Sequence, residues 1–333
     1  MKQIAVIGAG SWGTALSVIA ARAGHVVRLW SRNEDVVIAI NRQHVNTAHL
    51  KSCSIPANVR ATADLGDALE DAQLLVLALP SHATRELLTR MLPFLQPQMI
   101  FVSATKGIEI ESGKRVSEIV DEVVGAQFGP RFVCLSGPSF ALEVVSGQPT
   151  AVVAASNNRE DGFLVQKELS FENLRIYTNS DVVGTELGGA VKNVMAIAAG
   201  MVVGLGMGTN SVAALITRGL AEILRLALAE GARTETLMGL AGLGDLVLTC
   251  TGGLSRNRHV GVELGKGRGL EDAAKEMNEV AEGVKTTLAV KRLSDSLSIE
   301  MPITKEIHAV LYEGKPAVEA AGALMTRPLR GEF

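Results

Sequence analysis

A glycine-spaced turn directly behind the first apolar run constrains this chain more than any other feature. Ile4-Ala5-Val6-Ile7 leads into Gly8-Ala9-Gly10-Ser11-Trp12-Gly13, a G-x-G-x-x-G spacing. A helical pattern over Gly13–Ala23 follows, and then a second apolar run, Val26–Trp30. Strand, glycine turn, helix and strand form the setting in which this spacing holds a dinucleotide. Gly8 is expected to permit the tight turn, Gly10 to let the backbone approach a pyrophosphate, and Gly13 to let helix and strand pack closely. The diphosphate would rest on free N–H groups at the helix N-terminus. The alternative is a purely structural glycine-rich turn.

The same rhythm continues. Apolar runs predict strands at Leu74–Leu79, Ile100–Ser103, Phe132–Leu135, Ala151–Ala154 and Leu174–Tyr177, with helical patterns such as His82–Leu92 and Lys114–Val124 between them. Continuous apolar runs suit strands buried on both faces. The fold class expected is therefore α/β, with a doubly wound, mostly parallel Rossmann-type sheet over residues 1–180. Past Asp181 the strand signal stops. Thr185–Val203, Ser211–Ala229, Val284–Leu297 and Ile303–Leu311 read as helices, with Ser211 as an N-cap. Residues 181–333 are expected to form an all-helical substrate-binding domain, and 333 residues suit two domains.

Composition removes other classes. A net charge of −3 with no basic stripe excludes a nucleic-acid binder and leaves an anionic substrate to a few local cations. Cys53, Cys134 and Cys250 form no CxxC pair, and the six histidines are scattered, so neither a metal site nor a disulfide framework is expected. Free buried thiols fit a reducing, cytoplasmic setting. The opening apolar run is too short for a signal-peptide core. Val194–Asn210 is uncharged but glycine-rich and barely long enough to span a bilayer, so a buried helix is expected and no membrane insertion.

Several residues point to chemistry. After Trp30 come Ser31, Arg32 and Asn33, where a strict NAD enzyme places an acid; Ser31 and Arg32 suit a 2′-phosphate and so NADPH. Arg32 could equally be a surface charge stacking on adenine, and Glu34 and Asp35 could reach the ribose. Lys106 follows a strand and falls at the carboxyl edge of the sheet, to meet a phosphate or the reacting oxygen, or else solvent. Gly137-Pro138 forces a turn after another strand, whose backbone groups either touch a ligand or simply turn the chain. Lys192 is nearly the only charge in a long apolar region; burial lowers a lysine's pKa toward that of a general base, unless it snorkels to solvent. Ser255-Arg256-Asn257, with Ser255 capping a helix that reaches Leu264, makes either an anion site or an ordinary cap with surface arginines.

In order and spacing, Gly8–Gly13, Lys106-Gly107, Ser136-Gly137-Pro138-Ser139, Gly189-Ala190-Val191-Lys192-Asn193, Gly242-Leu243-Gly244-Asp245, Ser255-Arg256-Asn257 and Val280-Ala281-Glu282-Gly283 form a specific set. On these motifs the chain resembles the bacterial NAD(P)-dependent glycerol-3-phosphate dehydrogenases along its whole length. The resemblance implies cofactor contacts by Ser11, Trp12, Arg32, Ala141, Val280 and Glu282, with Lys106 and Arg256 touching both cofactor and substrate. It implies substrate contacts by Gly137, Ser139, Asp245, Ser255 and Asn257, and Lys192 as proton acceptor. It further implies interconversion of sn-glycerol 3-phosphate and dihydroxyacetone phosphate, a product used for glycerophospholipid synthesis, and a homodimer. Val203 and Thr209 stand where acidic residues are usual in that family. The same architecture and a helix lysine also occur in β-hydroxyacid and 6-phosphogluconate-type dehydrogenases. A non-catalytic NADPH sensor is a third reading, which Lys192 beside an anion site disfavours.

Overall fold

Apolar residues without polar alternation pair as strands covered on both faces, and the first half of the chain does this. The computed structural model describes residues 1–275, 281–329 and 331–332. Its strands are β1 (Gln3–Ile7), β2 (Val26–Trp30), β3 (Val45–Asn46), β4 (Leu50–Ser54), β5 (Val59–Thr62), β6 (Leu74–Leu77), β7 (Ile100–Ser103), β8 (Arg131–Ser136), β9 (Thr150–Ala155) and β10 (Leu174–Asn179). Eight of them form one sheet in the order β10-β9-β8-β7-β6-β1-β2-β5. Its neighbours pair in parallel, except that β9 runs antiparallel to β8. β1 lies centrally, its Ile4–Ile7 registered with Leu74–Leu77 on one side and Val27–Trp30 on the other. Because β1, β7 and β8 run the same way, the turns that follow them emerge at one edge of the sheet.

Helices α1 (Ser11–Arg22), α2 (Glu34–Gln43), α3 (Leu65–Leu69), α4 (Ser81–Met91), α5 (Val116–Val124), α6 (Ala141–Val145) and α7 (Arg159–Leu169) cover this sheet. One core joins Ile4, Val6 and Val76 to Leu16 and Ile19; the other joins Ile7, Leu75 and Phe101 to Leu88 and Ile119. The sheet unit differs from the sequence reading at three places. β5 escapes notice in the sequence because Val59-Arg60-Ala61-Thr62 is short and half polar, as an edge strand can be. The antiparallel hairpin β3–β4 was likewise not foreseen. The strand expected to reach Leu79 stops at Leu77, just before Pro80 caps α4.

The rest is helical: α8 (Val182–Gly204), α9 (Thr209–Ala229), α10 (Thr234–Leu237), α11 (Asp245–Thr251), α12 (Arg256–Gly265), α13 (Leu270–Lys275), α14 (Glu282–Ser296), α15 (Pro302–Tyr312) and α16 (Ala317–Met325). One π-helical turn, Leu240–Gly244, precedes α11. α8 is long and apolar enough to cross a membrane, but 83% of its most apolar stretch is buried inside the protein, as in a core helix. Ser211 is not an N-cap. Gly206, at φ +75°, turns the chain early, so Gly208 caps α9 and the helix already runs from Thr209. Contacts divide the chain into Met1–Lys106 with Lys114–Glu186, and Gly107–Gly113 with Leu187–Phe333. The division falls at Glu186/Leu187 rather than 180/181, and the segment after Lys106 clusters with the helices: Arg292 donates to the Ile110 carbonyl.

Candidate active site

The sheet unit carries a backbone cradle. Gly8 sits at φ +115°, where a Cβ would lie 2.4 Å from the Ala78 carbonyl oxygen. A Cβ on Gly13 would lie 1.9 Å from the Gly8 carbonyl oxygen, so only glycine lets α1 start this close to β1. A Cβ on Gly10 would meet nothing within 4 Å, which leaves open space in front of the backbone. Gly10 is the N-cap of α1 but no side chain caps the helix, so its first turn keeps N–H groups for an anion. Trp12 Nε1 is buried without a hydrogen-bond partner, and Ser11 Oγ donates to the His49 carbonyl. An open backbone, an uncapped helix start and an orphaned donor fit a bound dinucleotide.

Beyond β2, Ser31 is buried and its hydroxyl accepts from Asn33 N–H. Asn33 caps α2, and Arg32, Glu34 and Asp35 are exposed. At the ends of β7 and β8, Lys106 is not a loose loop cation: its Nζ donates to the Gly137 carbonyl at 2.9 Å. Ser139 Oγ donates to the same oxygen at 3.0 Å. Gly137 takes φ +137°, so the turn read from Gly137-Pro138 needs its glycine. Ala141 opens α6 and packs against the core that also takes Trp12.

The helical unit carries its own cluster of polar side chains. Gly188 of α8 touches the π-helical turn: a Cβ there would lie 2.6 Å from the Ala241 carbonyl oxygen. One turn further along both segments, Lys192 Nζ meets Asp245 Oδ1 at 2.6 Å. Lys192 also donates to Thr249 Oγ1 at 2.9 Å, and that hydroxyl donates to the Asp245 carbonyl at 2.6 Å. All three residues are buried. α8 therefore presents a buried lysine paired with a carboxylate, in line with Asp245 balancing its charge. The low-dielectric surroundings disfavour its charge, whereas the carboxylate favours it. Beside the pair, burial pushes the Cys250 thiol up to about 12, which leaves it inert near neutral pH. Cys53 and Cys134 are also buried and free.

Further along α8 the helix meets α12 backbone to backbone. Cβ atoms on Gly200 and Gly204 would lie 2.0 and 2.2 Å from the carbonyl oxygens of Arg258 and Val262. Those on Gly261 and Gly265 would lie 2.0 and 2.5 Å from the carbonyl oxygens of Ile197 and Met201. This glycine seam brings the start of α12 against α8. Asn257 Nδ2 donates to Asn193 Oδ1 at 2.9 Å, and Asn257 Oδ1 accepts from Gly283 N–H at 2.9 Å. Ser255 is the N-cap as expected, its Oγ accepting from Arg258 N–H. Arg256 is exposed at the first position of α12, and Glu282 opens α14. Val280 lies outside the described residues.

Thr249 and Asn193 are the members that sequence reasoning missed. Each stood in plain view, Asn193 beside Lys192 and Thr249 one helical turn after Asp245, a spacing that puts two side chains on one face. Val203 in the last turn of α8 and Thr209 in the first of α9 are both exposed to solvent. Among the described residues, no three His, Cys, Asp or Glu side chains are grouped to hold a metal.

The chain is similar to known proteins over almost its whole length. Residues 3–161 match the family described as NAD-dependent glycerol-3-phosphate dehydrogenase N-terminus, and residues 181–322 the corresponding C-terminus. A glycerol-3-phosphate dehydrogenase [NAD(P)+] of Koribacter versatilis is 55% identical over 330 residues, 98% of each chain. Its counterpart in Nitratidesulfovibrio vulgaris is 50% identical over 99% of this chain and 100% of its own. The crystal structure of glycerol-3-phosphate dehydrogenase from Coxiella burnetii superposes with a TM-score of 0.94 at 40% identity, covering 98% of this chain and 99% of that one. With its Rossmann-like sheet and helical second half, the chain belongs to the NAD(P)-dependent glycerol-3-phosphate dehydrogenase family.

Proposed function

We propose that this chain reduces dihydroxyacetone phosphate to sn-glycerol 3-phosphate, and catalyses the reverse oxidation, with Lys192 as the proton-transferring group. The observation that carries this reading is the buried ammonium of Lys192 held by Asp245 and Thr249. When bound, the nicotinamide supplies or takes the hydride. In reduction, Lys192 polarises the ketone oxygen and gives it a proton; in oxidation it takes that proton from the secondary hydroxyl. Asp245 orients Lys192 and balances its charge. Ser255, Arg256 and Asn257 hold the phosphate, since a capped helix start with a guanidinium and an amide suits a dianion. Asn257 commits its carbonyl to Gly283 and one N–H to Asn193, which leaves one N–H for the substrate. Lys106, Gly137 and Ser139 line the substrate at the sheet edge.

Ser11, Trp12, Arg32 and Ala141 contact the cofactor beside the glycine turn, and Glu282 is a further cofactor contact. NADPH is preferred over NADH. Arg32 is exposed with no side-chain partner among the described residues, beside the Ser31 hydroxyl, as a 2′-phosphate requires. The protein works in the cytoplasm, where its free thiols stay reduced, and its product feeds glycerophospholipid synthesis. It acts as a homodimer; Val318, Met325 and Leu329 expose apolar side chains that a second copy would cover. The test is an absorbance assay of NADPH and NADH oxidation against dihydroxyacetone phosphate, with light scattering for mass. Absence of turnover with either cofactor would sink the reading.

A further inference from the structure

The hairpin β3–β4, which no periodicity announces, grips the glycine turn from outside. Asn46 in β3 is fully buried. Its Nδ2 donates to the Ala9 carbonyl at 2.8 Å and to Thr14 Oγ1 at 2.8 Å. Its Oδ1 accepts from the N–H groups of Ala48 and His49, both at 3.2 Å. An amide side chain has two N–H groups and two lone pairs, and here all four are engaged. The hairpin it caps also receives the hydroxyl of Ser11 at the His49 carbonyl, 3.2 Å away.

The bond to Ala9 bears on the next peptide unit. The Ala9–Gly10 peptide is planar and trans, so its carbonyl and its N–H point in opposite directions. Rotating that unit by half a turn exchanges the two. Such a flip is usually barred by the side chain of the second residue, but that residue is glycine, which tolerates positive φ. Gly10 is at φ −70° with open space where a Cβ would stand. The turn thus combines the freedom to flip with the need to show a pyrophosphate N–H groups rather than carbonyls.

We propose that Asn46 is a positioning residue for the dinucleotide: by holding the Ala9 carbonyl it locks the Ala9–Gly10 peptide with the Gly10 N–H toward the pyrophosphate. This rests on the reading of the glycine turn as the cofactor site. Asn46→Asp keeps an acceptor for Ala48 and His49 but sets an oxygen against the Ala9 carbonyl; Asn46→Ala removes the amide without adding charge and decides the matter if the first variant does not fold. Asn58→Ala is the structural control. Asn58 Nδ2 donates to the carbonyls of Ala21 at 2.8 Å and His25 at 2.7 Å, tying down the opposite end of α1.

NADPH affinity is read from dihydronicotinamide fluorescence, on full-length protein, at a temperature where circular dichroism shows each variant folded. Both Asn46 variants should bind NADPH about tenfold more weakly or worse, as losing a buried hydrogen bond implies. Their KM for dihydroxyacetone phosphate should stay at the wild-type value. Asn58→Ala should lower Tm and leave NADPH affinity unchanged. NADPH affinity in the Asn46 variants equal to wild type, or reduced no more than in Asn58→Ala, would overturn the lock. Failure of the wild-type protein to bind NADPH would instead remove the cofactor reading of the turn, and the lock with it.

Discussion

The sheet unit and the helical unit each carry candidate site residues, built from different materials. At the end of β1 the binding surface is backbone: three glycines, an uncapped helix start and few side chains. In the helical unit it is side chain: Lys192 meets Asp245 and Thr249 across 53 and 57 residues of sequence, and Asn257 meets Asn193 across 64. A backbone site depends on local φ, ψ and steric clearance, so it is written as a short spacing. A side-chain site depends on which helices pack, so its members need not be near one another in the chain. The two should also fail differently, the first in cofactor affinity and the second in turnover.

The sharpest separation comes from Lys192. Lys192→Ala should lower kcat by about 10³-fold or more, at the upper range for loss of a general acid–base group, with NADPH affinity unchanged. It should also cost about 3–5 kcal/mol of stability, because Asp245 is left as an uncompensated buried charge. The double variant Lys192→Met with Asp245→Asn should recover the stability and not the turnover. Urea unfolding and steady-state kinetics on the three proteins distinguish these outcomes. Recovery of both would mean that the pair is only structural.

Thr249→Val follows. The hydroxyl is the second oxygen on the Lys192 ammonium, and a hydrogen bond to a charged group contributes about 1.5–3 kcal/mol. The expected fall in kcat is about 10- to 100-fold, with the proton-transfer limb of the pH–rate profile displaced and NADPH affinity unchanged. A pH–rate profile identical to wild type would remove Thr249 from the site.

How much of this was legible depends on the material. The turn at Gly8–Gly13, strands β1, β2 and β7 and the cap at Ser255 could be read because each is set by residues within a few positions. The seam between α8 and α12 could not, although its glycines are regularly spaced: Gly200 and Gly204 matter only because Arg258 and Val262 lie opposite. Asp245 could be linked to Lys192 only by resemblance, since nothing near either residue encodes the pairing. Asn46 was invisible for the same reason. It is one polar residue in a two-residue strand, and its partners belong to a motif more than thirty residues earlier.

The seam supplies the next, smaller effect. Gly261→Ala places a methyl 2.0 Å from the Ile197 carbonyl oxygen, so α8 and α12 must move apart. Overpacking of this kind costs about 1–3 kcal/mol. It should raise the KM for dihydroxyacetone phosphate about tenfold, by separating Asn257 from Asn193, and leave NADPH affinity alone. Gly13→Ala is its mirror, placing a methyl 1.9 Å from the Gly8 carbonyl oxygen and weakening NADPH instead. Equal effects of either variant on both ligands would erase the distinction between the two kinds of site.

The smallest effect on catalysis is expected at Glu222, a second buried acid of the helical unit. Its carboxylate accepts from Ile303 N–H at 2.6 Å and from Thr304 N–H and Oγ1 at 3.2 Å, capping α15 from α9. Burial pushes it up to about 7, against the lowering pull of those donors and of Arg225. Asp245 has an ammonium at contact distance, whereas the hydrogen-bond donors to Glu222 are uncharged. Because its folded pKa lies above the ordinary carboxylate value of 4.5, the folded state holds an extra proton between about 4.5 and 7. Stability from this group is therefore greatest at acid pH, falls as pH rises through that window and is flat above it. Urea unfolding at pH 5 and pH 7.5 should show wild type losing stability relative to Glu222→Gln as pH rises, with kcat at neutral pH the same in both. Parallel stability curves would mean that Glu222 titrates at its ordinary value, and that the N–H groups of α15 alone suffice to keep a buried carboxylate charged.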